Sequence, residues 1–182
     1  FAASMTLDIN NTDKLSIFQQ ELARLKIKLL PPNINNSGPN FLRSENTILY
    51  ALGAIKNVGI ESMKDLFNER NRNGNFKDLN DFINRCSNSI INKKTIEALS
   101  CAGAFDEFNL KRAAVFNQAS EIVKYHKHKN LNNSENQKDM FEDINISSFQ
   151  LKEEEEWKSN YKLMKEYEML GFYLSGPPLE EY

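Results

Sequence analysis

Two stretches of this 182-residue chain carry the residue types needed to hold a phosphate without reacting with it. They are Gly53-Ala54-Ile55-Lys56-Asn57-Val58-Gly59-Ile60 and Gly103-Ala104-Phe105-Asp106-Glu107-Phe108-Asn109-Leu110. Both read Gly, Ala, apolar, two polar, apolar, Gly or Asn, apolar. Gly59 and Asn109 fall at the same place, and these residue types tolerate left-handed backbone best. A corner of that kind aims the N–H groups of a helix start at a phosphate oxygen without reading any base. Helical spacing follows each copy: Ile60, Met63, Leu66 and Phe67 after the first, Leu110, Ala113 and Phe116 after the second. Helix, tight turn and helix therefore occur twice.

This arrangement resembles the helix-hairpin-helix family, whose members usually work in pairs. Binding of that kind is expected to be independent of sequence and weakened by salt. The copies are unequal, because the first turn carries Lys56 whereas the second carries Asp106 and Glu107, which repel phosphate. The DNA contact is therefore assigned mainly to Lys56, Asn57 and Gly59. Lys111 and Arg112 at the next helix start add phosphate contacts, and Lys93 and Lys94 are weaker candidates. The competing reading makes both turns plain connectors packed by Ile55, Val58, Phe105 and Phe108.

The charge distribution agrees with a contact in the middle of the chain. The net charge of −2 divides into +1 over residues 1–42, +4 over 43–129 and −7 over 130–182. A mildly basic middle can touch phosphate and an acidic tail cannot. No apolar run approaches the roughly 20 residues of a membrane span. Cys86 and Cys101 have no metal-site spacing, which suits a reducing cytoplasm. Asp8, Asp13 and the run Glu153 to Glu156 have no motif context for metal catalysis and are read as caps or solvated charge. His126 and His128 are expected in solvent at a helix end.

The elements that must position these turns are mainly helical. Thr12 stands before Leu15, Phe18, Leu22 and Leu25, a capped amphipathic helix. Ile27, Leu29 and Leu30 predict a short strand before Pro31-Pro32, and Phe41 pairs with Ile48 to Tyr50 in a hairpin around Ser44-Glu45-Asn46. From Leu52 to Lys129 the pattern is helical, with stops at Asn73-Gly74 and Gly103 and caps at Asp78 and Asn92. Lys129 to Asn136 is polar and expected to be mobile. Glu153 to Glu156 are expected to open a last helix with Trp157, Tyr161 and Met164 on one apolar face, ended by Gly171. The fold class is mainly α: a tandem helix-hairpin-helix bundle with a short β-hairpin near the N-terminal side.

Beyond the polar stretch, Gln137-Lys138-Asp139-Met140-Phe141 has the form Gln, two variable residues, aliphatic, Phe. It resembles the bacterial sliding-clamp-binding peptide, in which the Gln amide makes directional hydrogen bonds while Met140 and Phe141 fill an apolar pocket. A Met-Phe pair folded back on the domain is the plainer alternative.

Taken in order, several motifs together are similar to the alpha (polymerase) subunit of bacterial DNA polymerase III. They are Phe1 to Asp8, Asn11 to Lys14, Leu30 to Asn35 with Ser37, Leu52 to Gly59, Glu69-Arg70, Gly74, Phe76, Asp81-Phe82, Ala102 to Asp106 and Leu170 to Gly176. The resemblance covers nearly the whole chain. Pro177 departs from it, since the family usually has His between Gly and Pro. What it implies is an internal piece with both ends cut. Residues 1–50 are then the end of the fingers region and 51–129 the tandem DNA-binding module. Residues 130–150 are a mobile linker with the clamp motif, and 151–182 a helix and junction toward an absent oligonucleotide-binding domain. The family's metal-binding aspartates, which hold Mg in the parent active site, belong to an upstream palm, so no cofactor and no nucleotidyl transfer are expected here. The partners implied are double-stranded DNA, the β sliding clamp and other parts of the replicative polymerase, with no membrane. A stand-alone interaction scaffold and a DNA-repair helix-hairpin-helix protein remain as alternatives.

Overall fold

Every helix end leaves main-chain groups that the helix itself cannot satisfy, and the caps of this chain show how its sequence deals with them. The structure is a computed structural model that describes residues 1–134 and 148–176. Helices α1 (Ala2–Leu7) and α2 (Thr12–Arg24) come first. The cap of α2 is Asn11, not the expected Thr12: its Oδ1 accepts the Lys14 N–H at 3.1 Å. Leu15 and Leu22 face inward from α2.

Strands β1 (Lys28–Leu30), β2 (Leu42–Ser44) and β3 (Thr47–Leu49) follow. β2 and β3 make the expected antiparallel hairpin, with Arg43 opposite Ile48 and Glu45 at φ 50° in the turn. β1 adds in parallel to β3, so the order is β1-β3-β2. The loop after β1 is fixed by a side chain of a later helix and by one of its own. Arg70, buried, donates to the carbonyls of Ile34 at 2.8 Å and Ser37 at 2.7 Å. Asn35 takes both main-chain groups of Phe76, accepting its N–H at 2.8 Å and donating to its carbonyl at 2.9 Å.

The helical part comprises α3 (Ile60–Asn73), α4 (Leu79–Arg85), α5 (Lys93–Cys101), α6 (Arg112–Asn117), α7 (Ala119–Ser134) and α8 (Ser159–Leu170). Asp78 caps α4 through the Asp81 N–H at 2.8 Å and Asn92 caps α5 through the Thr95 N–H at 3.0 Å. Gly74 ends α3 at φ 83° and Gly171 ends α8 at φ 84°. Only Gln118 separates α6 from α7, and helical bonds run through it: its N–H donates to Ala114 and its carbonyl accepts from Ile122.

Several expectations change. α7 runs on to Ser134, beyond Lys129, because its far half is pinned to α4: the Lys129 ammonium donates to Asn84 at 2.7 Å. His126 is therefore not in solvent but buried, its Nδ1 2.9 Å from the Ile83 carbonyl. The last helix starts at Ser159 and not at Glu153, so Glu153 to Glu156 lie in an extended strap. Tyr161 and Met164 of α8 stay exposed, while its inward residues are Glu166 and Leu170.

One hydrophobic cluster, reaching from Met5 to Phe172, draws buried residues from 1–50, 51–129 and 151–182, and Phe149 packs against it. Phe82 sits inside it with Phe76 and Phe105 edge-on at ring separations of 5.4 and 5.1 Å. Among the described residues no helix is long and apolar enough to cross a membrane.

Gly103 holds φ 80°, and a Cβ there would press into the Arg112 guanidinium and stand 3.0 Å from the Asp106 carboxylate. Gly103→Ala is expected to lower stability by about 2–4 kcal/mol, strain and steric conflict together. A urea melt read by circular dichroism measures it, and a loss below about 0.5 kcal/mol would mean the site can relax.

Candidate nucleic-acid interface

Both turns are present, but their stereochemistry is not the one the spacing suggested. Gly59 is the N-cap of α3 at φ −76° and ψ 130°, an extended conformation open to any residue. The left-handed residue of the first turn is Asn57, at φ 66°. In the second turn Asn109 is left-handed as expected, at φ 56°, and Lys111 is the N-cap of α6 at φ −71°. Each left-handed Asn thus stands two positions before its N-cap, so Asn57 and not Gly59 corresponds to Asn109. The physical reason is that an N-cap must leave the helix in β-region backbone, and the reversal occurs before it. Burial still recurs as the letters do: 51–55 and 101–105 are buried, and 56–57 and 106–107 are exposed.

At the first turn the start of α3 is open. No side chain caps it, and its first intrahelical bond runs from the Met63 N–H to the Gly59 carbonyl. Among the described residues the N–H groups of Ile60, Glu61 and Ser62 therefore have no protein acceptor. Lys56, Asn57 and Gly59 are all exposed, and a Cβ on Gly59 would meet only Ser62 Oγ at 3.5 Å. The Lys56 N–H donates to the Met169 carbonyl at 3.0 Å, which ties the turn to the end of α8 while leaving the ammonium outside. An aligned helix start of this kind attracts anions through its dipole and its free N–H groups.

The other expected contacts separate into two groups. Lys94 is exposed and lines one groove with Asn57, whereas Lys93 is exposed but lies 3.7 Å from Glu97. The Ser62 hydroxyl donates to the Ser89 carbonyl at 3.1 Å, joining the start of α3 to the loop before α5. Lys111 is exposed beside Glu153 and Glu154 of the strap.

Arg112 is the correction: it was expected to contact phosphate, and it is buried, 7% exposed. Its guanidinium donates to Asp106 at 3.0 and 2.7 Å, to the Cys101 carbonyl at 3.2 Å and to Glu166 at 3.3 Å. Asp106 shares that cation with Glu166, and Glu107 accepts from the neutral Asn35 amide at 2.7 Å, so Asp106 is paired while Glu107 keeps its charge.

Sequence reasoning missed the residue that closes the second turn. The Glu156 carboxylate accepts the N–H groups of Arg112 at 3.0 Å and Ala113 at 3.1 Å. Desolvation would raise its pKa, but hydrogen bonds from the Ala113, Arg112 and Trp157 N–H groups outweigh that and hold it below the ordinary Glu value. The run of four acidic residues signalled only a helix start. Nothing local singles out Glu156, whose partners at the start of α6 lie more than forty residues away.

Among the described residues no three or more His, Cys, Asp or Glu side chains are grouped to hold a metal ion. Cys86 and Cys101 are free and buried, and burial pushes the Cys101 thiol up to about 12. Gln137, Asp139, Met140 and Phe141 of the clamp motif, and Pro177, lie outside the described residues.

Comparison with known proteins bears on these turns directly. The helix-hairpin-helix motif family matches residues 26–115. The whole chain aligns with DNA polymerase III subunit alpha of Caulobacter vibrioides at 39% identity over 182 residues. The same subunit of Campylobacter jejuni is 36% identical over 190 residues, and that of Treponema pallidum 32% over 184. The chain spans 16% of the length of each of these relatives.

Because its folded pKa is depressed, Glu156 contributes stability above the unfolded value of about 4.3, and this is lost as pH falls through the lower folded value. Glu156→Gln should therefore flatten the acid side of the stability profile between roughly pH 5 and pH 3 relative to the unsubstituted chain. Urea midpoints measured across that range decide it; parallel profiles would show that the cap makes no titrating contribution.

Proposed function

Along its full length this chain is a relative of the DNA polymerase III alpha subunits, and on that footing we propose that it grips the backbone of duplex DNA for a replicative polymerase through its first hairpin. The observation that carries this reading is the uncapped start of α3 beside exposed Lys56 and Asn57, within the stretch that matches the helix-hairpin-helix motif. Main-chain N–H groups of the first turn of α3 donate to one phosphate, and Lys56 adds a charge that releases counterions. Lys94, across the groove from Asn57, extends the contact along the strand. No base edge is read, so the grip slides with any sequence.

The connector reading describes the second hairpin, where Arg112 is buried and Glu156 occupies the helix start. DNA synthesis is read as the activity of the whole protein, with the magnesium-binding aspartates outside this chain. The chain itself is read as holding DNA without transferring nucleotides. Its β sliding clamp contact is read from Gln137, Asp139, Met140 and Phe141, a Gln for directional hydrogen bonding and an apolar pair for a pocket. A cytoplasmic setting suits the two free, buried cysteines.

Fluorescence anisotropy with a mixed-sequence duplex tests the grip. Lys56→Glu is expected to weaken binding about tenfold at low salt and to lower the salt slope by roughly 1–2. Equal affinity and slope in the variant would exclude the first hairpin. For the clamp, the double substitution Gln137→Ala with Phe141→Ala is expected to abolish binding to purified clamp while duplex affinity stays the same. Retained clamp binding would remove that assignment.

A further inference from the structure

The strap from Ser148 to Lys158 is held as a peptide ligand would be, by side chains that each take two groups at once. Asn80 accepts the Phe149 N–H at 2.6 Å and donates to its carbonyl at 3.0 Å. Gln118 accepts the Lys152 N–H at 2.8 Å and donates to its carbonyl at 2.9 Å. Phe149 packs on Tyr125 at a ring separation of 5.7 Å, and Trp157 on Phe116 at 5.3 Å. Between these anchors Glu154 accepts from the side-chain amides of Asn117 and Gln118, and Glu156 sits on the start of α6.

The two Glu156 oxygens divide the N–H groups of Arg112 and Ala113 between them, which is the geometry a phosphate adopts at a helix start. α6 ends at Gln118, which accepts the first bond of α7 from Ile122. The corresponding groups of α3, after its own left-handed Asn, are open. Lys111, the N-cap that would face DNA at the second turn, instead lines a hollow with Glu153 and Glu154. The same strap therefore fills the anion position and places two carboxylates in the hollow beside Lys111.

We infer that the strap is a built-in anionic ligand of the second hairpin, and that Glu156 is the residue deciding that a duplex is held by the first hairpin alone. This rests on the proposed duplex grip. The hairpins share a residue pattern but not its charge, and a segment remote from both adds to the inequality that Lys56 against Asp106 and Glu107 begins. Neutralising Glu156 removes the charge that excludes phosphate while leaving an amide oxygen able to accept one N–H.

The test is an amide NMR titration of the isotopically labelled chain with a short mixed-sequence duplex. In the unsubstituted protein the Ile60 and Glu61 amides are expected to shift with added duplex and those of Arg112 and Ala113 to stay still. In Glu156→Gln the Arg112 and Ala113 amides are expected to join the moving set, with affinity rising by roughly threefold at low salt, the scale of one added phosphate contact. Arg112 and Ala113 moving as much as Ile60 in the unsubstituted protein would overturn the strap inference and leave the duplex grip standing. Movement in neither set would overturn both. Still amides and unchanged affinity in a folded Glu156→Gln variant would remove Glu156 as the deciding residue. If that variant does not fold, the titration of the unsubstituted protein decides between these outcomes by itself.

Discussion

The guanidinium of Arg112 is the interaction on which the second half of the molecule depends. A buried cation is tolerated only when its donors are matched, and here Asp106, Glu166 and the Cys101 carbonyl match them. Removing one partner of such a pair typically costs about 3–5 kcal/mol, because the other charge stays buried. Glu166 passes the constraint on: it also accepts the N–H groups of Leu174 and Ser175 and the Ser175 hydroxyl. One charge thus joins the second turn, α5, α8 and the segment after α8. Gly103 is glycine because any side chain there would occupy the place of that guanidinium.

A second device recurs in the loops. Asn35, Asn80 and Gln118 each use a carboxamide to satisfy both the N–H and the carbonyl of a single distant residue. A carboxamide is the one neutral side chain with a donor and an acceptor side by side, so it can stand in for a neighbouring strand. This lets irregular segments lie against the helices without leaving main-chain groups unpaired. It also makes their docking directional, and that is how the strap brings Glu156 to one helix start and not to the other. The proposed asymmetry of the hairpins follows from this hydrogen-bonding geometry together with the charges of the turns.

The local features were legible. Asp78 and Asn92 as caps, Gly74 and Gly171 as stops, and the β2-β3 hairpin all follow from residue type and spacing over a few positions. The paired turns were legible too, down to their burial, and the exposure of Lys56 and Asn57 follows from the same repeat. The letters misled at Gly59, since glycine is permissive and its presence does not require positive φ; Asn57 makes the reversal. Arg112 misled for a related reason. A basic residue at a helix start looks like a surface charge until its carboxylate partners, six and fifty-four residues away, are known.

By itself, then, the sequence determined most of the helices, where two similar turns fall and to which proteins the chain is similar, because propensity, capping and periodicity act over short distances. Tertiary structure alone decided which turn keeps an open helix start. That depends on where a carboxylate from a remote extended segment comes to rest, and its partners are set by packing across the whole core. Two turns of one residue pattern come to rest in different surroundings, because only one of them meets Glu156.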